Sequence, residues 1–112
     1  MNKLWPANWY CYVVECSDDS LYTGITTDPT RRVEEHNSSR KGARYTRGRR
    51  PVKLLMAEEC SSQSEAARIE RHIKSLSHAD KWWHVHEVRH RLGISKPRIA
   101  GWKEFAQMMP QH

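Results

Sequence analysis

No apolar stretch in these 112 residues approaches the roughly 20 needed to cross a bilayer as a helix. The opening residues, MNKLWPAN, lack the apolar core of a secretion signal. Both point to a cytoplasmic protein with no membrane role. Cysteine is scarce: Cys11, Cys16 and Cys60 are an odd number and show no metal-ligand spacing. All three fall in expected strands, so they read as buried free thiols in a reducing compartment. The hydrophobic fraction is only 38%, against 29% charged, so the core is modest, and five tryptophans and four tyrosines supply buried area in its place. A net charge of +6 favours a polyanionic partner, but charge alone does not separate nucleic acid from an anionic membrane. The length suits a single domain.

The stretch from Trp9 to Asn37 carries the organisation. Trp9 to Cys16 is aromatic and β-branched, as a half-buried strand requires. Ser17 to Ser20 is a turn cluster, and Leu21 to Ile25 is the returning strand. A three-residue loop over Asp18–Ser20 would pair Cys16 with Tyr22 and Tyr12 with Thr26, placing Tyr12 and Tyr22 on one face. A two-residue loop would put them on opposite faces. Gly24 opens the second strand to close approach by a backbone or ligand. Asp28 can cap a helix that begins at Pro29. On that helix Arg32 and His36 are four apart and share a face, and the only aliphatic residue from Arg31 to Arg40 is Val33. The helix is therefore either a solvated surface element with pairs such as Arg31–Glu35, or a surface that presents Arg32 to a phosphate.

Ser38 to Lys53 holds seven basic residues and no acidic one, and Gly42, Gly48 and Pro51 mark it as a loop. Tyr45 lies among Arg40, Lys41, Arg44, Arg47, Arg49 and Arg50, a mixture that suits phosphates and unpaired bases better than it suits simple solubility. Pro51 to Cys60 is the third strand. Ser62 and Glu65 form a capping box for a helix whose buried stripe is Ala66, Ile69, Ile73 and Leu76. Glu70 flanks that stripe and can pair with Lys74. Ser77 and Asp80 start a last helix with Trp82, Val85, Val88 and Leu92 at core spacing, ended by Gly93. His86 and His90 stand four apart without an obvious third metal ligand.

These residues together resemble the GIY-YIG nuclease superfamily. Its first signature tripeptide corresponds to Tyr10-Cys11-Tyr12 and its second to Tyr22-Thr23-Gly24, the first matching only at its tyrosine. Arg32, His36 and Asn37 resemble its first helix. GARYTRGRRPVKLL and SEAARIERHIKSLS continue the likeness to small single-domain members, themselves similar to the nuclease module of a eukaryotic enzyme that cuts branched DNA. The match spans roughly residues 9 to 81. It implies an α/β fold with a three-stranded, mostly antiparallel sheet over residues 1–84; residues 85–112 depart from the small members and read from their own pattern as a helical extension. In that extension Val88, Leu92, Gly93, Ile94, Ile99 and Trp102 match helix-turn-helix positions, while Arg89 departs from them. Either Lys96, Arg98 and Lys103 meet DNA there, or Ile99, Trp102, Phe105 and Met109 pack on the domain.

The resemblance also implies roles. Tyr12 would take a proton from the attacking water or pass it to His36, Arg32 would stabilise the pentavalent phosphate, and Tyr22 would orient the water or a phosphate. Gly24 would permit close approach, and Asn37 would support the site. Glu70 would hold one Mg²⁺ or Mn²⁺, weakly without substrate, because one carboxylate cannot complete the shell. Arg40, Lys41, Arg44, Tyr45, Arg47, Arg49, Arg50 and Lys74 would contact DNA, RNA not being excluded. The expected activity is a metal-dependent DNA endonuclease, with branched, nicked or single-stranded DNA as candidate substrates. The alternatives are a nucleic-acid-binding module with little or no nuclease activity, or a catalytic subunit that needs a protein partner for specificity.

Overall fold

The central strand β1, Trp9–Glu15, is buried along all of its length except Trp9 in a computed structural model that describes residues 5–91. Burial on both faces explains its near-continuous apolar run. β2 (Leu21–Thr26) and β3 (Lys53–Cys60) flank it, both antiparallel, in the order β2-β1-β3. The expected α/β architecture with a three-stranded antiparallel sheet is therefore present. Helix α1 (Pro29–Ser38) packs on β1 and β3, while α3 (Gln63–Ser75) and α4 (His78–Arg91) cover the opposite face. Between α1 and β3 lies one further turn of helix, α2 (Arg44–Arg47). That stretch reads as loop in sequence; its two closing bonds, from Thr46 and Arg47 N–H to the Ala43 carbonyl, are too short a run for any periodic signal.

The strand periodicity sorts the core into two clusters. Cys11 and Val13 join Leu55, Met56 and Cys60 beneath Ala66, Ile73, Trp82, Val85 and Val88. Tyr10, Tyr12, Val14 and Cys16 face the other way, with Val52, Ala57 and the half-buried Val33. A bulge on β3 feeds this division. Val13 pairs with Met56 but Val14 with Leu54, so Leu55 is the extra residue, and it enters the same cluster as Met56. Arg89 donates to the carbonyl of Leu55 at 2.5 Å, which gives this cation of α4 a place in the fold. The three thiols are free and buried, and burial, more than neighbouring charge, pushes Cys11 up to about 12, so it is unreactive.

The β1–β2 register differs from the one expected. The loop is Ser17–Asp19: Cys16 and Ser20 already share a backbone bond, and Asp19 adopts a left-handed φ of 66°. The Asp18 carboxylate holds the corner by accepting from the Ser20 N–H at 3.1 Å and from its hydroxyl. Tyr12 consequently faces Gly24 rather than Thr26, and Tyr22 faces Val14 rather than Cys16. The slip is by two residues, an even number, so both tyrosines keep the shared face.

The helix starts are those the caps dictate. Asp28 accepts from Arg31 N–H at 3.2 Å, Ser62 from Glu65 N–H at 3.1 Å, and Ser77 from Asp80 N–H at 3.1 Å. The Glu65 carboxylate reaches back to Ser61, not Ser62, so the capping box is offset by one residue. α4 runs through residue 85 without a break, and its Trp82, Val85 and Val88 are buried. Positions 92–112, including Leu92, Gly93, Ile94, Lys96, Arg98, Ile99, Trp102, Lys103, Phe105 and Met109, lie outside the described residues.

Glu15 ends β1 at 6% exposure, and one of its carboxylate oxygens has no hydrogen-bond partner among the described residues. Burial, helped by the charge of Asp19 and opposed by Lys53, raises its pKa from 4.5 to about 7. The fold thus disfavours the charged form, and stability is lost as pH rises from the unfolded value through the folded one. Glu15→Gln is expected to raise Tm at about pH 8 and to match the parent near pH 4. Identical melting at both pH values would show that the carboxylate is solvated.

Candidate active site

Gly24 lies directly across the ladder from Tyr12. A Cβ there would meet the Tyr12 hydroxyl at 2.5 Å and its ring at 2.8 Å, so the glycine is the groove in which the phenol lies. The Tyr12 oxygen ends 2.7 Å from His36 Nε2, in the interior: Tyr12 is 1% exposed and His36 0%. On its far side His36 Nδ1 lies 2.9 Å from Thr46 Oγ1 and 3.3 Å from the Ala43 nitrogen. Gly42 lets that loop close on α1, since a Cβ there would meet the Glu35 carbonyl at 2.8 Å. Tyr22 stands edge-on to the His36 ring, with centroids 5.4 Å apart.

Arg32 completes this group. Its guanidinium donates to Glu35 at 2.9 Å and to the Lys41 carbonyl at 2.6 Å, close enough to Tyr12 for its charge to favour the phenolate. Burial works against its charge, but Glu35 and Tyr12 outweigh it and the shift is upward. Arg31 also approaches Glu35, at 3.9 Å. The same environment sets the other two groups. Burial pushes Tyr12 up to about 12 despite Arg32, and Tyr22 and Glu70 add to the rise. Burial first, then the Arg32 charge, lowers His36 to about 4, so its ring is neutral at pH 7. Glu70 lies on α3, which packs against β2 and β1; its charge is near enough to act on Tyr12, and it pairs with Lys74 at 3.2 Å. Lys74 in turn lies 5.9 Å from the Tyr22 ring centroid. No cluster of three or more His, Cys, Asp or Glu is placed to hold a metal among the described residues, and His86 and His90 stack on each other at 6.2 Å on α4. Glu70 alone fits a hard ion that keeps its waters and takes a further oxygen from a phosphate.

The basic segment divides in two. Arg50 turns inward, donating to the His36 carbonyl and, at 2.6 Å, to the Ser39 carbonyl at the C-terminal end of α1. Arg49 pairs with Asp18 at 2.9 Å and covers the Tyr45 ring at 3.9 Å. Tyr45, 39% exposed, is itself stacked on Tyr22, so it is a wall of the site rather than an open platform for a base. Arg40, Lys41, Arg44 and Arg47 have exposed side chains. Asn37 exchanges two bonds with Val52, at 3.0 and 2.7 Å, and so ties α1 to the approach to β3. Thr46 escaped the sequence reading, and Gly42 was read only as a mark of a loop. Their signal, a threonine and a glycine flanking Ala43 in a cationic stretch, has no period and no partner in the chain order.

A family model described as the GIY-YIG catalytic domain matches residues 8–82. The chain belongs to the GIY-YIG family. Among its relatives are the UPF0213 proteins: one from Desulfotalea psychrophila is 59% identical over 62% of this chain, and one from Halobacterium salinarum is 57% identical over 64%. The match covers 63% of the first relative's length and 92% of the second's. A solution structure of the protein EF2693 from E. faecalis is 38% identical, covers 80% of this chain and 93% of its own, and superposes with a TM-score of 0.51. GIY-YIG domains are nuclease-type domains, which implies nucleic-acid binding and the use of a divalent metal. The names of the UPF0213 relatives carry no substrate, activity or metal, and none speaks to the expected likeness to the branched-DNA enzyme. No helix among the described residues is long and apolar enough to cross a membrane.

Inward and outward cations separate by experiment. Arg44→Ala and Arg47→Ala should change stability by less than about 0.5 kcal/mol, and each should lower the slope of log K against log salt for nucleic-acid binding by about 1. Arg50→Ala should instead lose about 1–3 kcal/mol, because it leaves helix-end carbonyls unpaired. Urea melts beside a salt titration read both. A stable Arg50→Ala protein, or unchanged slopes for the other two, would reverse the assignment.

Proposed function

We propose that the protein is a divalent-metal-dependent endonuclease that hydrolyses phosphodiester bonds in DNA, with branched, nicked or single-stranded DNA as its substrates. The observation that carries the reading is the buried hydrogen bond between Tyr12 and His36, with the charges of Arg32 and Glu70 both near enough to act on the same phenol. Such a group has what an in-line displacement by water needs: a proton acceptor, a planar cation for the phosphate, and a carboxylate for a metal.

Tyr12 accepts the proton of the attacking water. Its oxygen is held by His36, which stays neutral, while the fixed charge of Arg32 lies nearby and meets the phosphate as its own charge builds. A phenol at about 12 is ionised in very few molecules at neutral pH, so the rate is limited by how far the site's positive charge offsets burial. Tyr22, braced between Tyr45 and the His36 edge, orients the water or a non-bridging oxygen. Glu70, now paired with Lys74, would hold a divalent cation when one is bound, and that ion would supply charge to the leaving 3′ oxygen. The exposed Arg40, Lys41, Arg44 and Arg47 carry the backbone to the site.

Cleavage of labelled branched, nicked, single-stranded and duplex DNA with Mg²⁺ or Mn²⁺ tests this. Glu70→Ala is expected to abolish cutting while leaving DNA binding close to the parent's, and a mutant that cuts normally would remove the metal assignment. The rate of the parent should climb with pH through the neutral range, about tenfold per unit while the phenol is mostly protonated. A profile flat above about pH 6 would exclude Tyr12 as the proton acceptor.

A further inference from the structure

Thr46 is fully buried, on a four-residue helix away from the phenolic oxygen. Among the described residues it is the one hydroxyl against His36 Nδ1, at 2.9 Å, and it lies equally 2.9 Å from the Ala43 carbonyl. Two hydrogen arrangements satisfy these distances in part. If Nδ1 carried the proton, it would donate to Thr46, and Thr46 would donate to the Ala43 carbonyl. The Ala43 N–H, whose direction the backbone sets, would then point at a ring N–H, and it has no other acceptor among the described residues. If Nε2 carries the proton, Nδ1 accepts from both Thr46 and Ala43. The Ala43 carbonyl still receives the Thr46 and Arg47 N–H groups, so nothing is orphaned. Leaving a buried backbone donor unpaired costs about 1–3 kcal/mol, which decides for the second arrangement.

Resting on the nuclease reading of this site, we infer that Thr46 is a positioning residue: with the Ala43 N–H it holds His36 as the Nε2–H tautomer, so that His36 donates its proton to Tyr12 rather than accepting one. The phenolic oxygen then receives a donor from His36, with the Arg32 charge nearby, and its own hydrogen is turned away from that donor, toward the water or substrate oxygen. When that hydrogen passes to solvent, the His36 donor and the Arg32 charge are already in place beside the phenolate. The opposite tautomer would tie the phenol's hydrogen to Nε2 and turn its lone pairs from the water. Proton hand-off from Tyr12 to His36 is accordingly not the resting arrangement.

The tautomer is read directly, whether or not the protein cuts DNA, in the full chain labelled with ¹⁵N-histidine. Long-range proton–nitrogen correlations should show His36 protonated at Nε2 in the parent and in Thr46→Ser. In Thr46→Val, which keeps the shape and removes the hydroxyl, the Nδ1–H form should gain population. Cleavage by Thr46→Val should lose about tenfold or more in kcat with KM little changed, and Thr46→Ser should restore most of it. A parent protonated at Nδ1, or a folded Thr46→Val with the parent's tautomer and kcat, would overturn the inference. A tautomer shift in a protein that cuts no substrate would uphold the positioning role and count against the nuclease reading alone.

Discussion

The hydrogen bond between Tyr12 and His36 spans the molecule's least forgiving position. It joins the central strand to α1 at 2.7 Å, between two groups that are almost wholly buried. α1 has little else to hold it by apolar means, since Val33 is its only aliphatic contact with the core and Pro29 and His36 are its buried residues. Its attachment is polar: Tyr12 and Thr46 on His36, Val52 on Asn37, and Arg50 on the carbonyls at its end. Each such bond is worth only about 1 kcal/mol net, but each fails expensively if one partner is removed. The site and the fastening of the helix are therefore the same set of contacts.

That economy explains why the cationic segment is not uniform. A chain with so much positive charge in one stretch could present all of it to a polyanion. Instead Arg49 and Arg50 are spent on the fold, one closing the turn of Asp18 over Tyr45 and the other finishing α1. The exposed cations lie on the frame these two build. Arginine suits both uses, because its fork satisfies two carbonyls at once or meets a phosphate in a plane.

Much of this was legible along the chain. The strand–turn–strand of Trp9 to Thr26, the Asp28-Pro29 start of α1, the Ser62 and Ser77 caps and the buried stripes of α3 and α4 follow from local rules. The pair Arg32 and His36 was visible for the same reason, since helical spacing is a property of neighbours, while Glu70 and the ordered Tyr10–Tyr12 and Tyr22–Gly24 signatures were marked by the resemblance to the family. The turn was misplaced by one residue because Asp18, Asp19 and Ser20 offer several corners of similar local energy. Which closes was decided by the left-handed Asp19 and by Asp18, which the Arg49 side chain also engages.

What the sequence by itself determined was the kinds of element, their faces and the chemical groups brought to one side of a small sheet, because these depend on contacts within a few residues. What only the tertiary structure decided was which of those groups touch. Gly24 is the bed of Tyr12 because the register pairs them. Thr46 is the partner of His36 because Gly42 allows the loop to fold back. Arg50 turns in because α1 ends beside it with carbonyls to spare. These are contacts between residues far enough apart in the chain that no local preference specifies them, and they form because a buried polar group without a partner is the costliest thing this small core could contain.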